Sequence, residues 1–366
     1  MPKVCMMTTV HRRDDTRIFA KESRSLAKEY DVVLLAADGL PEERVDNVSI
    51  RSVVTEKPRS RPERMTRTAS AMFREALREN ADVYHFHDPE LLRIGVKLKK
   101  RGKTVVYDVH ESISDTITDR DYLPMPMLRL LARIAGREDR RGAAKMDAVV
   151  TVTPFLRDRY ERYGCKTVMV CNYPVLDSFP APDDKEREIS MCCSGARVDY
   201  SRGIVEMIEC AQNTDVPLHL FGVMHAAMDR EVDERDKKHL VRVHGFVDPE
   251  SVKEQMYRSQ IGMVVEYPTG NAVNAYCVKM FEYMASGMAV VSSDIPLWRA
   301  TVEETGCGLC VDPKNIYEVS EAVRFLAEHP DKAREMGRSG RRWAEKKYNW
   351  AHEEKKLLAL YRELVK

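Results

Sequence analysis

No apolar run in this 366-residue chain comes near the ~18 residues that a membrane-spanning helix needs. The opening "MPKVCMM" passes straight into a strand pattern, so no secretory signal is expected. An excess of one charge is also missing. Lys and Arg number 59 against 58 Asp and Glu, a formal net charge of +1. Nothing global draws such a chain to nucleic acid or to an anionic lipid surface, and any basic function must be local. Paired cysteine motifs are lacking too. The nine cysteines are an odd number, and Cys5, Cys171, Cys192, Cys193 and Cys210 lie in or beside apolar patterns. That fits reduced, buried thiols in a cytoplasmic protein. "CGLC" (Cys307, Cys310) has no second pair at zinc-finger spacing and reads as two half-buried structural thiols. "HFHD" sets His85 and His87 on one strand face with no acidic or cysteine partner at ligand spacing, so no metal is expected.

What is present is an alternation of short apolar runs and helical patterns. Strands are expected at 3–10, 31–37, 48–54, 82–87, 103–110, 147–153 and 166–172. Several are apolar throughout, as in sheets covered on both faces. A helix over 16–30 would place Phe19, Ser23, Leu26, Ala27 and Tyr30 on one stripe, with Lys21, Glu22 and Arg24 elsewhere. "NYPVLDSFPAPDDKERE" (172–188), with three prolines and a charge run, has linker chemistry. Beyond it the rhythm restarts, with strands near 189–195, 217–222, 240–245, 261–266 and 288–294 and helices near 203–212, 249–258 and 278–286. The tail is helical over 315–328, 331–348 and 350–365. These repeats predict an α/β protein of two tandem Rossmann-like, doubly wound domains, 1–172 and 173–349. They would face a cleft lined by strand carboxyl ends, where open α/β sheets bind ligands. The last helix, 350–366, carries Trp350, Leu357, Leu358 and Tyr361 on one side and is expected to pack back on the first domain.

Two polar stretches sit at such strand ends. "HRRDDTRIF" (His11–Phe19) follows the first strand and reads either as a solvated loop or as a ligand site. Arg17 could instead pair with Glu22 or Asp14. "SGARVDYSRG" puts Arg197 and Arg202 before a helix start, either as an anion site or as two arginines of a surface loop. Farther on, Asn271, Asn274 and Ala275 precede a helix holding Lys279 and Glu282. A carboxylate at Glu282 could grip a vicinal diol such as a ribose, or simply pair with Lys279. Residues 122–145 hold Met125, Met127, Leu128, Leu130, Leu131 and Ile134 beside Arg129, Arg133, Arg137, Arg140 and Arg141. Such a helix either lies on an anionic membrane or buries its apolar side in the core.

These stretches, with "VYHFHDPELLRIG", "VVYDVHES", "VHGFVDPESVKEQMYRSQIGMVV" and "KMFEYMASGMAVVSSDIPLW", resemble the retaining, nucleotide-sugar-dependent glycosyltransferases of family four, which have the GT-B fold. The resemblance spans nearly the whole chain. It implies that Arg197 and Arg202 hold the donor diphosphate, although the family usually has Lys at the second position. Its Glu-x7-Glu motif ends on Glu282, the ribose carboxylate. The first Glu falls on Asn274, which can hydrogen-bond a sugar hydroxyl but cannot stabilise positive charge. The amides of Ala275, Tyr276 and Cys277, next to Val278, would line the sugar, and Phe246 and Val247 the base. The active-site histidine falls on His110.

The implied acceptor side comprises His11, Arg12, Arg13, Asp14, Asp15, Arg17 and His87. Arg12 or Arg13 would meet anionic groups and Asp14 or Asp15 acceptor hydroxyls. The implied partners are a UDP- or GDP-type donor and a glycan, lipid-linked or small-molecule acceptor, as in polysaccharide biosynthesis. A cytoplasmic enzyme is expected, in peripheral contact with the inner face of the membrane if the basic helix is membrane-facing. Departure of the diphosphate is helped by the arginines and a helix N-terminus, so no cofactor or metal is expected. Attack on the same face of the sugar gives retention. Two alternatives share the architecture: a nucleotide-sugar epimerase, and a non-catalytic nucleotide-sugar-binding subunit.

Overall fold

The computed structural model describes residues 1–118, 124–182 and 187–365, the side chain of Asn271 excepted. Tyr122 and Leu123 of the basic stretch and residues 183–186 of the linker lie outside the described residues. The chain forms two compact units, Met1–Asn172 with Trp350–Lys366, and Tyr173–Asn349.

The first unit is built on eight strands: β1 Lys3–Met7, β2 Asp31–Ala36, β3 Glu43–Val45, β4 Val48–Ser52, β5 Val83–Phe86, β6 Thr104–Val109, β7 Ala148–Thr151 and β8 Thr167–Met169. Their order is β3-β4-β2-β1-β5-β6-β7-β8, parallel except for the β3–β4 hairpin. β1, β5 and β7 are buried along nearly their whole length because helices cover both faces. The edge hairpin is absent from the sequence expectations, since "ERV" is too polar to read as a strand. Its turn residues Asp46 and Asn47 both take positive φ, +49° and +66°. Two-residue hairpin turns favour that pair of conformations.

The second unit has six strands: β9 Glu188–Val198, β10 Leu218–Met224, β11 Val241–Gly245, β12 Ser259–Val264, β13 Ala289–Ser293 and β14 Gly308–Val311. All are parallel, in the order β11-β10-β9-β12-β13-β14. "CGLC" lies at β14, with Cys307 buried and Cys310 half-buried, and both thiols are free. Each sheet reverses its strand order at one point, beside β1 in the first and β9 in the second, which is where doubly wound folds bind ligands.

Three elements differ from the sequence reading or decide it. The expected helix 16–30 begins instead as a π-helical turn, Ile18–Ser23, followed by Arg24–Leu26. The Glu22 amide reaches back five residues to the Arg17 carbonyl (2.9 Å), and Ser23 Oγ donates to the Ile18 carbonyl (2.6 Å). The wider turn rotates the buried face onto Ile18, Lys21, Glu22 and Ser25, and leaves Phe19 and Ala27 half-exposed. The terminal helix Trp350–Leu364 does pack on the first unit, burying Trp350, Leu357, Leu358 and Tyr361. Trp350 Nε1 donates to Ser25 Oγ (2.9 Å), and Tyr361 hydroxyl meets His85 Nδ1 at 2.7 Å. In the helix Met125–Ala143, Leu128 and Ala132 are buried, but Met125, Met127, Leu130, Leu131 and Ile134 are exposed. The core alternative therefore fails for those five side chains.

Candidate functional site

In the first unit a cavity of about 650 Å³ opens over the carboxyl ends of the central strands, lined by Val10, His11, Arg61, Arg64, Met65, His87, Asp88, His110, Glu111 and Ile113 among others. Asp88, just past β5, organises the loop after β1. Its Oδ2 accepts from Thr8 Oγ1 at 2.9 Å and from the Thr9 amide at 2.5 Å. His110, just past β6, directs Nε2 to Asp108 Oδ2 at 3.2 Å and lies edge-on to His11, ring centroids 5.5 Å apart. Burial works against a charge on His11. The carboxylates of Asp15, Asp88 and Asp108 outweigh it, and its pKa rises above the ordinary imidazole value.

Most of "HRRDDTRIF" is engaged with the protein itself. Arg12 is exposed but clasps Asp14, Nε to Oδ1 at 2.8 Å and Nη2 to Oδ2 at 2.7 Å. Arg13 is buried against Asp38 (2.6 and 2.9 Å), Glu43 (2.8 Å) and the carbonyls of Leu40 and Pro41, so its expected contact with an anionic ligand is corrected. Asp15 Oδ1 accepts from the amides of Arg17 and Ile18 at 2.8 and 2.9 Å, and its other oxygen meets His11. Burial alone would raise its pKa; those hydrogen bonds hold the carboxyl well below its usual range. Its expected role towards acceptor hydroxyls is corrected to a helix cap. Arg17 is buried, bidentate to Asp108 (2.9 and 3.1 Å) and 2.9 Å from Glu22, the pairing left open above. It does not face the cavity surface. His87 lines the cavity wall, but its side chain is inaccessible to solvent. From this stretch His11 lines the cavity, with Nδ1 3.2 Å from Asp15 Oδ2 and Nε2 3.6 Å from Asp88 Oδ1.

In the second unit β9 runs on to Val198, so Arg197 is a strand residue opposite Val223 and exposed, not a loop residue. Arg202 ends the short turn Tyr200–Arg202, before the helix Ile204–Thr214. Gly203 joins them at φ +64°, and a Cβ there would come within 2.1 Å of the Val265 carbonyl oxygen, so only glycine fits. Arg202 Nη1 donates to Glu266 Oε1 at 3.0 Å. Burial raises the Glu266 carboxyl, and Arg202 opposes the rise. Arg202, Glu266, Cys277 and Lys279 line one small cavity with Ser194. Glu266 was not singled out from the sequence. Its signal was a carboxylate directly after the apolar run "IGMVV".

The helix Val278–Ala285 starts at Cys277 with no side-chain cap. Asn274 ends the turn Gly270–Asn274, and Trp298 Nε1 pins the next residue by donating to the Ala275 carbonyl (2.7 Å). Tyr276 packs its ring on Phe281 at 5.6 Å. Glu282 is half-buried and paired with Lys279 at 2.7 Å. Phe246, past β11, is 74% exposed, and Val247 is half-buried.

By donor type, Glu22, His85, His87 and Asp108 could hold a metal ion, their ligand atoms all lying within 4.8 Å of one another. The acidic partners missing near "HFHD" in sequence thus arrive from other elements. Asp108 Oδ2 is already surrounded by Arg17 Nε, His87 Nδ1 and His110 Nε2 at 2.9 to 3.2 Å, which leaves it poorly placed to add a metal.

Residues 17–173 match the family described as Glycosyltransferase Family 4, and residues 180–343 the family described as Glycosyl transferases group 1. The D-rhamnosyltransferase WbpZ of Pseudomonas aeruginosa is 26% identical over 73% of this chain and 69% of that protein. Sucrose-phosphate synthase from Thermosynechococcus elongatus superposes with a TM-score of 0.80 at 15% identity, covering 100% of this chain and 99% of that one. Anabaena HepE in complex with UDP gives 0.73 at 11% identity, over 99% of this chain and 100% of that one. The chain belongs to the family four, group 1 glycosyltransferases and has their GT-B fold. It is an enzyme that moves a glycosyl group from a nucleotide-sugar donor to an acceptor.

Proposed function

We propose that the second unit binds the donor through Arg202 and Arg197, with the N-terminus of the helix Ile204–Thr214 assisting on the diphosphate. The observation that carries this is the seat of Arg202, beside a helix start that only glycine at 203 permits. Lys279 adds a second cation to the same small cavity. Glu282 takes the ribose, Phe246 and Val247 the base. Asn274 and the amides of Ala275, Tyr276 and Cys277 take the transferred sugar, and Val278 begins the helix behind them. The cations neutralise the leaving diphosphate, so no metal is required, and the leaving phosphate receives the acceptor proton on the same face, with retention. HepE has been solved with UDP and glucose, and WbpZ is named for D-rhamnosyl transfer, so UDP-sugars and donors of deoxyhexoses come first as substrates to test.

The acceptor enters the first unit's cavity, with His110 and His11 at its floor. Met65, Val10 and Ile113 give that cavity an apolar side, and Arg61 and Arg64 a basic one. A glycan linked to a lipid through phosphate fits both. No helix among the described residues is long and apolar enough to cross a membrane. Contact with the inner membrane face would instead run through the exposed apolar and basic side chains of the helix Met125–Ala143.

The test of the donor site starts from a thermal-shift panel of UDP-, GDP-, ADP- and dTDP-sugars, since a ligand of the native state raises the melting temperature. With the donor so found, Arg202→Ala should weaken nucleoside-diphosphate binding by about 1.5–3 kcal/mol in calorimetry. An affinity unchanged in both Arg202→Ala and Arg197→Ala rejects the assignment.

A further inference from the structure

In the second unit the transfer leaves one carboxylate without a role: Glu266, the second residue past β12. Its backbone is held without help from its side chain. Ser293 Oγ, at the end of β13, donates to the Glu266 carbonyl at 2.6 Å. The Tyr267 amide donates to the Ser201 carbonyl at 2.8 Å. Gly203, where a Cβ has no room over the Val265 carbonyl oxygen, lies against the same loop. The loop that carries Glu266 and the turn that carries Arg202 are therefore knitted together by main-chain contacts, whichever side chains they bear.

The two side chains meet across that seam. Glu266 Oε1 accepts from Arg202 Nη1 at 3.0 Å. A guanidinium carries five N–H donors in a planar fork, and this bond takes one of them. Nε and Nη2 make no hydrogen bond among the described residues, and the arginine side chain is 33% exposed, so a ligand can reach them. Nη1 lies 3.0 Å from where a Cβ would stand at Gly195, so a side chain there would crowd the guanidinium. Arg202 is thus held at one nitrogen, over a glycine, with the rest of its fork unengaged. The cavity it shares with Glu266, Cys277 and Lys279 measures about 10 Å³, no more than one water. A phosphate group does not fit there. It fits the free Nε–Nη2 edge, which is the geometry of a bidentate arginine–phosphate pair. Lys279, paired with Glu282 at 2.7 Å, is a point charge with rotating donors and has no edge to aim.

We propose that Glu266 is a positioning residue for Arg202: by taking Nη1 it fixes the plane of the guanidinium and leaves the Nε–Nη2 fork to a phosphate of the donor. This rests on the reading of Arg202 as a ligand of the diphosphate. The charge of the carboxylate works against an anion. Its hydrogen bond works for one, because a long side chain is already ordered when the ligand arrives. Glutamine separates the two effects, since its amide oxygen accepts from Nη1 without the charge.

Calorimetric titration of the full-length enzyme with UDP, GDP, ADP and dTDP tests it. The tightest of the four is then carried through wild type, Glu266→Ala, Glu266→Gln, Arg202→Ala and the double variant Arg202→Ala with Glu266→Ala. Glu266→Ala should weaken binding by about three- to tenfold, the cost of ordering one long side chain. Glu266→Gln should bind as tightly as wild type or more tightly. In the Arg202→Ala background, Glu266→Ala should add no more than about twofold, because the residue acts through Arg202 and a purely structural loss would persist there. If Glu266→Ala does not fold, Glu266→Asp, one methylene short of Nη1, takes its place with the same loss expected. Binding unchanged or tightened in Glu266→Ala overturns the proposal and leaves the donor site standing. So does a loss in Glu266→Gln equal to that in Glu266→Ala, or a full further loss in the double variant. No binding of any of the four nucleotides, or an affinity unchanged in Arg202→Ala, instead removes Arg202 from the diphosphate and the proposal with it.

Discussion

Asn274 stands eight residues before Glu282, at the end of the turn Gly270–Asn274, where the resemblance to the family implies a carboxylate. A neutral amide both donates and accepts, so it suits a sugar whose hydroxyl pattern differs from that of common donors. Glu266, raised by burial and held by Arg202, places a carboxylate just past β12, in one small cavity with Cys277 and Lys279. Asn274→Ala should lower turnover by about 0.5–1.5 kcal/mol, roughly two- to twelvefold, the scale of one neutral hydrogen bond. Asn274→Glu should lower it too or change the preferred sugar. A wild type without turnover that gains it as Asn274→Glu would mark a non-catalytic relative instead. At this scale the sequence was least legible. "HRRDDTRIF" displayed its charges but not their partners, because Arg13 meets Asp38 and Arg17 meets Asp108, 25 and 91 residues away. The parallel pairing of β1 with β2 brings the first pair together, and that of β1 with β5 and β5 with β6 the second.

Among the elements, the helix Met125–Ala143 is the one whose surface demands an explanation. Five large apolar side chains, 42–58% exposed, alternate with the exposed arginines Arg129, Arg133, Arg137, Arg140 and Arg141. Exposed apolar side chains interspersed with five arginines, against the one exposed acid Glu138, are the chemistry of an anionic bilayer interface, where each basic residue is worth about 1 kcal/mol. The enzyme should float with vesicles containing anionic lipid, and 0.5 M-range salt, on the order of several times physiological, should release it by screening. Arg129→Glu with Arg133→Glu should abolish flotation without lowering the melting temperature. A wild type that never floats excludes the membrane. This amphipathic pattern was legible, because a 3.6-residue period survives wherever a helix is regular. The π-helical turn was not. The wider turn over Ile18–Ser23 put Lys21 and Glu22 on the buried side instead of the expected polar one. The helix Pro296–Thr305 was missed although Pro296 in its first turn and Gly306 just past its end, at φ +61°, are ordinary boundary signals.

For the whole molecule, the division of labour follows from two doubly wound sheets that each present a polar site past their carboxyl strand ends. The strands themselves were readable as apolar runs, since burial on both faces leaves little room for polar residues. What the transfer needs beyond those sites is a way to stabilise the departing diphosphate, which in the proposed donor site would fall to Arg197, Arg202, Lys279 and two helix starts. The most direct measurement is transfer from the donor found by thermal shift, with excess EDTA present, followed by NMR of the anomeric centre of the product. A rate unchanged by EDTA and a product with the anomeric configuration of the donor are predicted. Turnover lost to EDTA and restored by magnesium, or a product of inverted configuration, would contradict the account.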